Sequence, residues 1–138
     1  MANTFKVITK ANVTSLDVIY TAASSTTTVI LGLVLGNTTG SQVTSTVTLN
    51  SDTAARAGAN DEANDAVELV TNAPIPAGSS LELLSGNKVV LETTDEIKVS
   101  ATGSVDVALS VMEITCCRIL ESGQPTSPAR QKQRLPVI

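Results

Sequence analysis

Apolar and polar residues alternate with a period of two along most of this chain, and the pattern is clearest from residue 72 to residue 99. Pro74, Pro76 and Gly78 open this stretch with residues that favour turns. Apolar runs follow at 81–84, at 88–92 and from 97 onward, separated by Ser-Gly-Asn at 85–87 and Thr-Thr-Asp-Glu at 93–96. The spacing is too short for helices, so we predict a meander of three antiparallel strands that needs a second sheet to cover it.

The rest of the chain supplies the other strands. The same period predicts them at 5–9, 12–22 with an interruption near Ser15, 26–37, 42–50, 67–71 and 105–115. Residues 26–37 have the densest apolar middle, which predicts a central strand with both faces covered. Gly32 and Gly36 within it indicate a bulge, a close backbone approach or plain packing. Residues 37–41 are expected to close a hairpin onto 42–50.

Together these elements predict an all-β domain over residues 1–115, an antiparallel β-sandwich or jelly roll of about eight or nine short strands. In the last strand Val105, Val107, Leu109 and Val111 share one parity, and Glu113 falls on the same parity. Residues 116–138 lose the alternation and contain prolines and a glycine, so they predict an extended C-terminal arm.

Composition agrees with an all-β fold. About a quarter of the residues are Ser or Thr, and the aromatic residues are Phe5 and Tyr20, with no Trp. The core is therefore expected to consist of Val, Ile, Leu and Ala, with the hydroxyl side chains at solvent-facing positions of the strands.

The chain contains no histidine. This removes the commonest general base, the commonest zinc ligand and every Ser-His or Cys-His dyad. A pair of carboxylates could still hydrolyse a glycosidic bond, but the chain has almost no aromatic surface on which a sugar could stack. We therefore expect no enzymatic activity, no catalytic residues, no metal site and no cofactor.

Two neighbouring cysteines, Cys116 and Cys117, end the last apolar run. Adjacent residues point to opposite faces of a strand, so these two are poorly placed to bridge each other or to share a metal. Free thiols are expected, with an intermolecular disulfide as the alternative. No apolar run is long enough to cross a membrane, and the first residues lack the apolar centre of a signal peptide.

Residues 51–66 interrupt the strands with a polar, acidic loop that is longer than the usual connection inside a domain. Because such loops are often functional, Asp61, Glu62 and Asp65 are candidate partner-binding residues. Together with Asp52 and Asn64 they could offer oxygen ligands to calcium, but their spacing does not match an EF-hand loop. A solvated loop that faces water or a neighbouring subunit is the preferred interpretation.

The C-terminal arm reverses the charge of the chain. Residues 118–138 hold four cations against one acid, whereas residues 1–117 hold five cations against twelve acids. We expect the arm to lie on an acidic neighbouring subunit, with its own acidic domain as the alternative. Nucleic acid is not expected as a partner, because the acidic domain would repel phosphate. The candidate contact residues of the arm are Arg118, Arg130, Lys132, Arg134, Leu135, Val137 and Ile138.

Four segments carry a further signal: Tyr-Thr-Ala at 20–22 leading into residues 26–41, Ala-Pro-Ile-Pro-Ala-Gly-Ser-Ser-Leu at 73–81, residues 88–99, and residues 105–114. They resemble small virion structural proteins of tailed bacteriophages, notably cyanophages. The resemblance covers roughly residues 5–114 and is one of pattern, without a catalytic motif, so it carries over no functional residue. It implies a β-sandwich that is present in repeated copies on a capsid, neck or tail.

This resemblance and the composition lead to an expected function as a capsid decoration protein, or cement protein. Such a protein binds and stabilises the major capsid shell of the virion through weak contacts that are multiplied over many copies. We expect a homo-oligomer, with a trimer favoured, and neither a membrane nor a small-molecule partner. The alternatives are a neck, tail, baseplate or fibre-attachment component and, from another class, a carbohydrate-binding module.

Overall fold

The computed structural model describes residues 2–53 and 62–115, and this part of the chain is all-β. Its nine strands are β1 (Ala2–Val13), β2 (Asp17–Thr21), β3 (Thr26–Asn37), β4 (Val43–Asn50), β5 (Ala66–Ile75), β6 (Ser80–Leu83), β7 (Val89–Leu91), β8 (Glu96–Ala101) and β9 (Val105–Thr115). The described residues include no helix that is long and apolar enough to span a membrane.

Two antiparallel sheets form a sandwich, which confirms the predicted fold class. The first sheet has the order β1-β9-β3-β6, with β7 also paired to β3, and the second has the order β2-β8-β4-β5. Because β6 pairs with residues 33–36 of β3 and β7 with residues 28–30, these two short strands are parts of one edge strand. Eight strands then remain, and their order in the two sheets is that of a jelly roll built from two Greek keys.

The predicted hairpins are wrong. β6 and β7 do not pair with each other and β8 lies in the other sheet, so residues 72–99 do not form a meander. β3 and β4 also lie in different sheets, so residues 37–41 cross from one sheet to the other. A period of two identifies a strand, but it does not tell whether the next strand pairs beside it or lies in the facing sheet.

β3 has the bounds that the pattern predicted, and it lies inside its sheet between β9 and the β6/β7 strand. Its register shifts between Ile30 and Gly32, so a bulge, one of the three alternatives left open for the glycines, is present at Gly32. The prediction that both faces of β3 are covered is wrong. Val34, on the face that points away from the second sheet, is 37% exposed in the described chain.

The core between the two sheets is aliphatic, as the composition predicted. The last strand alternates as expected, and its residues of one parity are buried from Val105 to Val111. The buried apolar side chains are Val13, Ile19, Ala22, Ile30, Leu33, Leu35, Val43, Val47, Ile75, Leu91, Ile97, Val99, Val105, Val107, Leu109 and Val111.

β5 is longer than the strand predicted at 67–71, because it continues through Pro74 to Ile75. A proline has no N–H to donate, so within a sheet it is confined mainly to edge strands, and β5 is an edge strand of the second sheet. The chain then turns at Gly78, which has a φ of 70°. Ser79 N closes this turn by donating a hydrogen bond of 3.1 Å to Pro76 O.

The side chain of Asn37 links the end of β3 to the end of β5 by hydrogen bonds. Its buried amide nitrogen donates to the carbonyl oxygens of Ser41 (2.8 Å), Ile75 (2.9 Å) and Pro76 (3.1 Å). Its Oδ1 accepts hydrogen bonds from Thr39 N and Thr39 Oγ1 at 2.9 and 2.7 Å. One side chain therefore joins the β3–β4 connection to the turn that follows β5.

Candidate functional site

Most of the predicted partner-binding residues lie outside the described residues. These are Asp61 and the candidates in the arm, Arg118, Arg130, Lys132, Arg134, Leu135, Val137 and Ile138, and the same holds for Cys116 and Cys117. Glu62 and Asp65 are described and lie just before β5. They belong to one end of the sandwich, which we call the acidic end.

The acidic end is built from residues 51–53, residues 62–65 and the β7–β8 turn at 92–95. The buried side chain of Asp95 links the turn at 92–95 to residues 51–53 through hydrogen bonds. Its Oδ1 accepts hydrogen bonds from Ser51 Oγ (3.2 Å) and Asp52 N (3.1 Å), and its Oδ2 accepts one from Glu92 N (3.0 Å). Asp95 therefore closes its own turn and ties it to the chain that leaves β4.

Asn64 joins the third segment to this end. Asn64 N donates to Thr53 O at 2.9 Å, and Asn64 Nδ2 donates to Ser51 Oγ at 2.9 Å. Nearby, Thr53 Oγ1 donates to Glu92 Oε2 at 2.7 Å. Across residues 2–53 and 62–115, no three His, Cys, Asp or Glu side chains are grouped so that they could hold a metal ion.

A cavity of about 470 Å³ opens beside these hydrogen bonds, between β5 and β7. Leu49, Val67 and Val90 contribute its apolar wall, and Asp65 and Glu92 contribute carboxylates. Among the described residues, the lining combines this aliphatic surface and these carboxylates with the polar side chains of Ser51, Thr53 and Asn64, and it contains no thiol and no cation. It is suited to an apolar side chain that is accompanied by a positive charge.

Exposed apolar side chains collect at the two sides of the sandwich. β1 and β2 are the edge strands of the two sheets on one side, which we call the β1/β2 edge, and β5 with β6 and β7 form the opposite side, the β5/β7 edge. In the described chain the exposed large apolar residues are Phe5, Val7, Leu16 and Val18 at the β1/β2 edge, Val67 and Val90 at the β5/β7 edge, and Val34 between them. Such side chains at the edges of a sheet favour contact with another polypeptide.

An apolar row connects the two edges across the outer face of the first sheet. Phe5 of β1 is paired with Met112 of β9, Met112 with Val29 of β3, and Val29 with Val90 of β7. Cross-strand pairs of this kind lie on one face of a sheet. Phe5 is 70% exposed and Val90 is 54% exposed, so the side chains at both ends of the row are accessible to solvent or to another protein.

A polar cluster lies at one margin of the aliphatic core, between the sheets. Tyr20 of β2 donates to Glu113 of β9 at 2.8 Å and lies 2.7 Å from Thr28 Oγ1 of β3. Lys6 Nζ of β1 lies 2.7 Å from the other oxygen of Glu113. The Lys6 and Tyr20 hydrogen bonds hold the pKa of Glu113 below its ordinary value, whereas burial raises the pKa of Tyr20.

The sequence pattern alone assigns no role to this cluster. A signal for it was present, because Glu113 falls on the parity of the buried residues of β9. An acid at such a position needs a hydrogen-bond partner on a facing strand. The identity of that partner depends on which strands face each other, which the local pattern does not specify.

Comparisons with known proteins show distant likenesses only. No protein-family model matches this chain, and no curated protein matches it. It is similar to a chain of Bacillus endospore appendages, described as a family of disulfide-linked pili, with a TM-score of 0.39, 13% identity and coverage of 83% of this chain and 88% of that chain. It is also similar to a chain of the T13 IBDV viral particle, with a TM-score of 0.33, 12% identity and coverage of 80% of this chain and 35% of that chain. Both likenesses are too weak to carry an argument about function.

Proposed function

We propose that this chain is a structural virion protein of a tailed bacteriophage, and that it acts as a capsid decoration protein. In this role it binds the major capsid protein and stabilises the shell as a homo-oligomer, with a trimer favoured. It uses no cofactor and catalyses no reaction. The virion resemblance of residues 5–114 supports the location.

The observation that carries this proposal is the contrast between the polar and the apolar side chains of the described residues. Asp95, Asn37 and Tyr20 are engaged in hydrogen bonds that hold the sandwich together. Exposed apolar side chains, in contrast, line both edges. A protein of this kind is suited to binding other proteins, and the jelly roll is a fold that viral capsid domains use.

Lectins use the jelly roll as well. A sugar-binding groove, however, usually offers an aromatic ring on which the sugar stacks. In the described chain the ring of Tyr20 is half-buried and its hydroxyl is engaged with Thr28 and Glu113, and Phe5 is at the β1/β2 edge. These observations favour a protein partner over a carbohydrate.

The test is a binding measurement on phage heads that lack this protein. Purified protein is mixed with such heads, bound and free protein are separated by sedimentation, and the copies bound per head are counted. Saturation at hundreds of copies supports decoration of the shell. Saturation at about six or twelve copies would instead support a neck, tail or baseplate position, and no binding to heads would contradict the decoration role.

A further inference from the structure

We propose that two copies of this chain associate through unlike edges, with the β1/β2 edge of one copy seated on the β5/β7 edge of the next and Phe5 inserted into the cavity between β5 and β7. An interface between two different surfaces repeats from copy to copy and closes into a ring when the rotation permits. The inference deepens the oligomeric part of the proposed function by naming the surfaces, and it does not depend on binding to a particle.

The cavity and Phe5 are complementary in chemistry. Phe5 is the only phenylalanine of the chain and is 70% exposed on an edge strand. The cavity of about 470 Å³ presents Leu49, Val67 and Val90 to an incoming side chain. The same lining includes the polar side chains of Ser51, Thr53, Asn64, Asp65, Glu92 and Asp95, so Phe5 would pack on its aliphatic wall. A buried aromatic residue is a common anchor of a protein interface, and Val7 follows Phe5 on the same face of β1 to extend the contact.

The charges of the two edges are also complementary. The β1/β2 edge carries Lys6 and Lys10 on β1 and Asp17 on β2, and both lysines are about half-exposed although Lys6 is paired with Glu113 and Lys10 with Asp17. The opposite edge is acidic. Between residues 62 and 92 its acidic residues are Glu62, Asp65, Glu68, Glu82 and Glu92, and Lys88 is the one cation. Charges of opposite sign orient two surfaces and disfavour wrong pairings.

The same charges argue against association through two like edges. Two β1/β2 edges would bring together charges that are already paired within each copy, and two β5/β7 edges would bring five carboxylates together with their images. Neither arrangement would place Phe5 in a cavity of the partner. Pairing of a β1/β2 edge with a β5/β7 edge places Phe5 in the cavity and also brings the lysines of β1 close to the acidic edge.

Two single variants and their mixture test this pairing. Phe5→Glu disrupts the β1/β2 edge, and Val90→Glu disrupts the wall of the cavity. Both positions are exposed, so the fold should persist, and circular dichroism melting checks this. Size-exclusion chromatography with light scattering is expected to show an oligomer for the native chain and a dissociation constant at least about tenfold higher for each variant.

The mixture distinguishes unlike edges from like edges. Phe5→Glu retains an intact β5/β7 edge and Val90→Glu retains an intact β1/β2 edge, so the two variants together should form one native interface and a 1:1 heterodimer. Val34→Thr is the control, because Val34 lies on the face between the edges and the change leaves the charge of its cross-strand neighbour Glu82 unaltered, so this variant should assemble like the native chain. A native chain that is monomeric at every concentration, a Val90→Glu variant that assembles normally, or a mixture without heterodimer would each overturn the inference.

Discussion

The phenolic oxygen of Tyr20 donates a hydrogen bond of 2.8 Å to Oε1 of Glu113, a residue that follows 93 positions later. Tyr20 lies on β2 in one sheet and Glu113 on β9 in the other, so this bond crosses the sandwich. Because the single hydroxyl proton of Tyr20 is directed to Glu113, the hydroxyl of Thr28 donates to Tyr20 Oη over 2.7 Å. Three strands from both sheets thus meet at one hydroxyl group.

Tyr20→Phe should lower the free energy of unfolding by about 1–2 kcal/mol, because it keeps the ring but leaves Thr28 and Glu113 without their shared partner. Urea unfolding followed by circular dichroism measures the change. Thr28→Val should cost a similar amount, and the two changes together should cost less than their sum. Thr27→Val is the control, since Thr27 is exposed on the other face of β3. Additive effects of the two changes would contradict a shared bridge.

The stability of the sandwich should decrease in acid through Glu113. The hydrogen bonds from Lys6 and Tyr20 lower the pKa of Glu113 in the folded protein, so the unfolded chain takes up a proton at higher pH than the folded chain does. The contribution of Glu113 is therefore complete above the ordinary glutamate pKa of about 4.3 and is lost as the pH falls through the lower folded pKa. Urea unfolding midpoints between neutral pH and about pH 3 measure this dependence.

Glu113→Gln should flatten that dependence, and Lys6→Met should flatten it as well because Lys6 is the main cause of the lowered pKa. Part of the dependence should persist in both variants. Glu96 provides it, since hydrogen bonds from Lys98 and Asn50 lower its pKa too. An unchanged acid dependence in Glu113→Gln would show that Glu113 does not contribute.

The sequence predicted the strands better than it predicted their partners. β3 was predicted from residue 26 to residue 37 because a long alternating apolar run is a local property, and it has these bounds. The hairpins were wrong because turn residues such as Ser-Gly-Asn at 85–87 interrupt one edge strand as readily as they join two paired strands. β6 and β7 both lie along β3, which no local pattern indicates. The edges and the cavity follow from this order of strands, so the sequence alone could not predict them.

Asn37→Asp should be strongly destabilising at neutral pH. The amide nitrogen of Asn37 donates to the carbonyls of Ser41, Ile75 and Pro76, and an aspartate would place a carboxylate against three acceptors in a buried position. We expect a loss of about 3 kcal/mol or more. A protonated carboxyl can donate one of these bonds, so the difference from the native chain should shrink at acidic pH.

Thermal and urea unfolding of Asn37→Asp at two pH values measure this effect. Asn87→Asp provides the matched control, because Asn87 is exposed and lies in the β6–β7 connection. It should unfold within about 0.5 kcal/mol of the native chain. Equal stability of the two aspartate variants would mean that the carbonyl contacts of Asn37 do not hold the end of β3.

Gly103→Ala should destabilise the fold through a steric overlap between the β8–β9 turn and the start of β4. A Cβ on Gly103 would lie 2.5 Å from Val43 Cγ1 and 3.6 Å from Val43 Cβ. Val43 is buried and β-branched, so its χ1 angle has little freedom to relieve the overlap. We expect a loss of about 1–3 kcal/mol in the free energy of unfolding.

A double-mutant cycle shows whether this contact is the cause. Val43→Ala removes the overlapping methyl groups, so Gly103→Ala should cost much less in a Val43→Ala background than in the native chain. Gly32→Ala is the control, because a Cβ at Gly32 meets no atom within 4 Å. That change should be neutral or slightly stabilising, since it restricts the unfolded chain without a new contact. If Gly103→Ala costs the same with and without the Val43 methyl groups, the loss arises from the backbone of the turn and not from the packing of Val43.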